Sequence, residues 1–182
     1  MPRQFVEKDR GWKQIEREVS KFKSKVVAVG VLKGTDHKGS DGRPSASLAL
    51  IAAVQEFGAR IRVTPRMRAY LHAIGIHLSK GKSEVVIPER SFLRSWANAK
   101  KDQITRAIAS MLKKVESGEM TAEQGMKTLG VFAVSGVQKQ ITEPEGVSWP
   151  PLKIRQGRPL IDTGGLRQGI KYEVREMGGG VE

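Results

Sequence analysis

Apolar residues recur at three- and four-residue steps through much of this chain, and elsewhere they alternate with polar ones or run together. The two spacings separate helices from strands. Trp12, Ile15, Val19 and Phe22 fall on one face of "GWKQIEREVSKFKSK", which predicts an amphipathic helix. "KVVAVGVL" at 25–32 is a β-branched run bounded by glycine and predicts a strand. "KGTDHKGSDGRPS" at 33–45 offers little to bury and reads as a flexible loop. Its Asp36, His37 and Asp41 lack the alternating ligands and terminal Glu of a calcium loop.

Ser45 or Ser47 is placed to cap a helix through "SLALIAAVQEFGA". There Leu50, Val54 and Phe57 form a stripe widened by Leu48 and Ile51, and Gly58 stands where a helix stops. "RIRVTP" at 60–65 alternates as a strand, Pro65 opens a short helix, and "SEVVIPE" at 83–89 is a second extended run. Together these predict an arm or hairpin at about 60–88. From Ser91 to Gly118 a single long helix is expected, with Leu93, Trp96, Ile104, Ala107, Ile108, Met111, Leu112 and Val115 in step. Thr121 and Gln124 have capping-box spacing for a helix at 122–141, whose Met126, Leu129, Ala133, Val137 and Ile141 should face inward. Gly130 and Gly136 cost helix propensity, so another helix or backbone should approach closely there. An irregular stretch at 143–160, a short turn and a final strand at 170–174 complete an α+β pattern: a small mixed or antiparallel sheet against one long and several shorter helices.

The 182 residues suit one domain. Net charge is +13, and it is unevenly placed: residues 1–114 hold 24 Lys and Arg against 10 Asp and Glu, while 115–182 hold 8 against 9. Such a basic region favours an anionic neighbour. There is no cysteine, which excludes disulfides and thiolate metal sites. Neither a signal-like segment nor a membrane-length apolar stretch is seen, so the expectation is a soluble protein made in the cytosol.

Candidate chemistry is sparse. "PLIDTGGL" at 159–166 contains the Asp-Thr-Gly of an aspartic-protease half-site. That chemistry needs two facing loops sharing a proton within a closed β-rich barrel, whereas the stretches before Asp162 are mostly helical. Ordinary turn chemistry accounts for it: Asp162 and Thr163 satisfy backbone N–H groups, Gly164 and Gly165 bend, and Leu166 packs down. His72 and His77 lie five apart, which does not align them as helical zinc ligands. No phosphate-binding glycine loop or nucleophile elbow is present. No catalytic residue, cofactor or metal is therefore assigned. Arg60, Arg62, Arg66 and Arg68, with Lys100 and Lys101, are candidate contacts for an anionic partner. Aromatics make up only 5% of residues, which argues against base-stacking recognition.

Taken in order, "LALIAAVQEFGARI", "VIPERSFLRSW", "GVFAVSGVQKQI" and "RPLIDTGGLRQGIKYEV" resemble the tailed-phage virion-morphogenesis and tail-completion family of minor tail and head–tail joining proteins, from about Val26 to Val174. The matching residues are Glu56, Phe57 and Gly58; Ile87, Pro88, Arg90, Phe92, Leu93 and Arg94; and Pro159, Leu160, Asp162, Thr163, Gly164 and Leu166. Ser91 stands where the family often has Pro, and 60–83 is longer than in its shortest versions. The resemblance implies a non-enzymatic virion part of the tail or neck, assembled in the bacterial host cytoplasm. It further implies a homo-oligomeric ring, a hexamer being the expected count, that meets tail terminator, tail tube or head connector proteins and lies near phage DNA. On this reading Phe57 and Phe92 are buried, and Arg90 or Arg94 pairs with Glu56 or a neighbouring subunit. The alternative is a soluble, non-sequence-specific DNA-binding protein or a transient assembly factor.

Overall fold

The computed structural model describes residues 11–32, 36–37, 46–152, 157–161 and 164–178. The fold is α+β. Helix α1 (Trp12–Lys23) leads directly into strand β1 (Lys25–Val31), which pairs antiparallel with the last strand, β6 (Ile170–Glu176). The register sets Val27, Val29 and Val31 opposite Val174, Tyr172 and Ile170. Alternation turns all six toward α6 (Ala122–Thr142), the longest helix, which lies across this two-stranded sheet.

Between those strands the chain forms β2 (Asp36–His37), β3 (Ala46–Ser47), α2 (Leu48–Phe57), β4 (Ala59–Arg62), α3 (Pro65–Ala73), β5 (Glu84–Ile87), α4 (Phe92–Ala99) and α5 (Lys101–Glu116). Short strands β2 and β3 pair with each other, so the expected loop at 33–45 includes a piece of ladder. The remainder of that loop, residues 33–35 and 38–45, lies outside the described residues. Helix α7 (Gly165–Gly169) precedes β6. Gly164 begins it in the left-handed region, φ 77°, while Asp162 and Thr163 lie outside the described residues. In the turn before, Leu160 has φ 65° and its side chain still packs against the core.

Two apolar clusters form the interior. One gathers Phe92, Trp96, Val137, Ile141, Leu166 and Ile170, and the other Phe22, Val115, Ala122, Met126 and Leu129. Helix α6 supplies both, and every residue expected to face inward along it is buried. The capping box is formed as well: Gln124 N–H donates to Thr121 Oγ1 at 3.3 Å, and Thr121 N–H to Gln124 Oε1 at 2.9 Å. A methyl group added at Gly130 would overlap the Tyr172 ring, and one at Gly136 the Trp96 indole. These glycines admit aromatic side chains rather than a helix or backbone.

The helix expected from 91 to 118 is broken at Lys100, whose φ of −109° and ψ of 13° end α4 and begin α5. Trp96, before the break, lies in the first cluster and Val115, after it, in the second. Trp12 is also displaced from the expected stripe and stands in solvent, whereas Phe22 is buried.

Candidate functional site

The Glu-Phe-Gly and Ile-Pro-x-Arg-x-Phe-Leu-Arg residues converge at one junction. Helix α2 ends at Phe57, and Gly58 turns with φ 72° against the chain leaving β5. A methyl group at Gly58 would stand 3.0 Å from both the Ile87 carbonyl oxygen and the Glu89 nitrogen, so space and dihedral both require glycine. Arg90 N–H donates to the Gln55 carbonyl at 2.7 Å and locks the two segments together.

Glu56 is the centre of this junction. Its Oε2 accepts from Leu93 N–H at 2.9 Å, and Oε1 accepts from Arg94 N–H at 3.0 Å, Ser91 Oγ at 3.0 Å and Arg94 Nε at 3.1 Å. Four donors occupy a carboxylate with about four lone-pair positions. Ser91, at the N-cap position of α4, thus donates to Glu56 instead of capping its own helix; the cap comes from 35 residues earlier in the chain. Arg94 completes the arrangement with Nη2 to the Glu56 carbonyl at 2.8 Å and Nη2 to Glu89 Oε1 at 2.8 Å.

Phe92 is fully buried beneath this cap, as expected, but Phe57 is 65% exposed and serves differently. The Arg94 guanidinium carbon lies 4.9 Å from the Phe57 ring centroid, so the ring supports a cation at the surface. The inward positions of α2 are Leu48, Ala52 and Glu56, and Leu50 is 61% exposed. The expected stripe is therefore rotated: the buried carboxylate takes an inward place that hydrophobicity alone awards to Phe57.

Arg90 does not pair with Glu56. It is buried and donates from Nε and Nη2 to the Pro150 carbonyl at 3.2 and 3.0 Å, from Nη2 to the Pro151 carbonyl at 3.4 Å, and from Nη1 to Gln55 Oε1 at 3.3 Å. Burial lowers its pKa from the ordinary arginine value. Its work is to hold the irregular stretch after α6 against α2. Pro88 lies half-buried in the same segment, between β5 and α4.

Two further surfaces stand out. Within the described residues β1 and β6 pair only with each other, so each has an unpaired edge. Beside β1 an apolar groove of about 520 Å³ opens between Val26, Val29, Ile104, Ile108 and Phe132, and beside β6 a second of about 530 Å³ is bounded by Val131, Val134, Tyr172 and Val174. Val131 and Phe132, adjacent on α6, are 56% and 36% exposed over opposite flanks. The helix carries apolar surface that two strands are too narrow to cover.

The third surface is the arm from β4 to β5, which forms an antiparallel ribbon with α3 between its strands and buries no residue. The basic residues expected to contact an anionic partner divide here. Arg62 and Arg66 make no ion pair or side-chain hydrogen bond among the described residues, and Lys101 makes no ion pair. Arg60 pairs with Glu84 at 3.7 Å, and Arg68 is committed to the carbonyls of Leu78, Ser79 and Lys82. Lys100 is also committed internally, at 2.5 Å from Glu145 Oε2; the hydrogen bond and charge of that ammonium lower the Glu145 pKa. His72 and His77 meet edge to face with centroids 4.5 Å apart, because Gly75 turns the chain back after α3. Among the described residues no three His, Asp or Glu side chains gather as a metal site, and no helix is long and apolar enough to cross a membrane.

Fold and junction together define an α+β domain built around a carboxylate-capped helix. Comparison with family models, with curated proteins and with solved structures gives no match.

Proposed function

We propose that this protein is a non-enzymatic structural part of a tailed-phage virion, completing the tail or neck and helping to join it to the head as a ring of identical copies. The observation that carries the reading is the Glu56 junction. Two pieces of the resemblance, Glu-Phe-Gly and Ile-Pro-x-Arg-x-Phe-Leu-Arg, are partners at one junction whose hydrogen-bonding capacity goes into setting α4. Such residues act as a fold signature rather than as chemistry. The apolar grooves on opposite flanks of the sheet favour self-assembly, since two different surfaces meeting head to tail generate a ring when the rotation closes.

The test combines assembly with location. Light scattering on the purified protein should give a multiple of the 20.1 kDa chain, and Phe132→Asp with Val131→Asp should return it to the monomer. Mass spectrometry of phage particles purified through high salt should find the chain in a fixed ratio to the major tail protein. A monomer both alone and with tail components, together with absence from complete particles, would sink the reading.

A further inference from the structure

We infer that the β4–α3–β5 arm is a binding site for the phosphate backbone of duplex DNA, reading charge and groove shape rather than base sequence. Residues 59–87 carry six Lys and Arg against the single carboxylate of Glu84. None of these 29 positions is buried, so the segment adds charge while contributing nothing to the core.

The cations are held on a frame. Arg60 and Arg62 lie two apart on β4 and share a face, about 7 Å from each other along the strand. Glu84 stands directly opposite Arg62 in the register and makes its ion pair with Arg60. Thr64 Oγ1 accepts from Met67 N–H at 3.1 Å and fixes the start of α3, where Arg66 projects one turn before the exposed Tyr70. Arg68 then ties the far turn to this helix: Nη1 donates to the carbonyls of Leu78 and Ser79 at 3.2 and 3.0 Å, and Nη2 to that of Lys82 at 2.6 Å. One arginine is thereby spent on placing Lys80 and Lys82 relative to Arg66. Among the described residues Arg62, Arg66, Lys80 and Lys82 have no ion pair or side-chain hydrogen bond of their own.

Duplex DNA fits this arrangement better than an acidic protein does. Protein interfaces draw their energy from a buried aromatic or aliphatic centre and are depleted in lysine. The arm's exposed apolar residues, Ile61, Tyr70, Ile74 and Val86, are set among six cations against one carboxylate, and that charge excess suits a polyanion of regularly spaced charge. A two-stranded ribbon is also narrow enough for the major groove, about 12 Å wide. The frame lowers the ordering cost of binding because the backbone positions that carry the charges are already fixed.

The inference stands apart from the virion reading, since a monomer absent from particles can still bind DNA and a ring can fail to. Fluorescence anisotropy with a labelled mixed-sequence duplex, titrated between about 50 and 200 mM salt, tests it. The full chain should bind with an affinity that falls steeply with salt. Replacing Arg62, Arg66, Lys80 and Lys82 together by alanine should flatten the log–log salt slope by about 3 to 4, at roughly 0.9 for each phosphate no longer neutralised. Thermal melting of the variant should match the parent, because the four side chains are neither buried nor bonded internally. Failure of the parent to bind the duplex, an unchanged slope in the variant, or tighter arm-dependent binding to poly-glutamate than to DNA would each overturn the assignment.

Discussion

Arg94 meets Glu56 three times: its backbone N–H and Nε both donate to Oε1, and Nη2 donates to the Glu56 carbonyl. The pair is unequal, because the Glu56 side chain is 4% exposed and that of Arg94 50%. A half-exposed guanidinium adds little Coulomb energy, whereas the buried carboxylate also caps α4. Glu56→Ala should therefore cost about 3 kcal/mol, combining a lost cap with lost charged hydrogen bonds. Arg94→Ala should cost only about 1 kcal/mol. Urea midpoints at constant slope measure both, and equal losses would mean that the ion pair outweighs the cap.

Gly130 and Gly136 oppose helix propensity to steric room. Alanine at either position would favour a helix by about 1 kcal/mol where space allowed. Here the added methyl meets the Tyr172 ring near its attachment or the Nε1 side of the Trp96 indole, so overpacking of about 1–3 kcal/mol should dominate. Both alanine variants are expected to melt lower than the parent. A raised melting temperature in either would refute the close approach.

These residues also mark what a sequence can convey. Helix α6 is legible because its cap and inward stripe lie within one continuous segment. The role of Glu56 is not: its donors lie 35 to 38 residues further on, and a buried carboxylate inverts the hydrophobic reading of α2. Likewise, the apolar steps from Leu93 to Val115 are compatible with one helix, and nothing in their spacing marks the break at Lys100. The pairing of β1 with β6 depends on contacts across nearly the whole chain, beyond the reach of local periodicity.

Acid should expose a second long-range cap. Glu18 Oε2 accepts from Ala122 N–H at 2.8 Å, while Oε1 accepts from Lys21 Nζ at 2.7 Å. The Lys21 hydrogen bond, then that from Ala122, lowers its pKa below the ordinary 4.5. A depressed folded-state pKa contributes stability above the unfolded value and loses it as pH falls through the folded value. Glu18→Gln should accordingly melt below the parent at about pH 6, with the gap closing toward about pH 3. A pH-independent gap would assign the loss to packing.

Arg68 should matter locally and not globally. Lysine at this position keeps the charge but replaces a planar fork with a single point donor. The turn fixed by Leu78, Ser79 and Lys82 should loosen, and hydrogen exchange should quicken at the amides of Lys82 and Val63, which donate to Ser79 and Ser83. The melting temperature should stay close to that of the parent, because no arm residue is buried. Unchanged exchange at those amides would show that the arm keeps its shape without the clamp.

Phe57 and Phe92 flank the same junction, and one pair of substitutions separates their roles. Phe92 is wholly enclosed in the first cluster, so Phe92→Ala removes buried area and leaves a cavity, at about 3–5 kcal/mol. Phe57 touches the Arg94 guanidinium from outside, and exposed cation–π contacts contribute about 0.5–1 kcal/mol. Phe57→Ala should therefore hardly move the melting temperature of the isolated chain. In a ring, an exposed aromatic beside a fixed cation is well placed to meet a neighbour, and Phe57→Ala should then weaken assembly without weakening the fold. Light scattering and thermal melting on the same sample separate these effects: a large loss of stability would return Phe57 to the core, and unchanged assembly would leave it outside the interface.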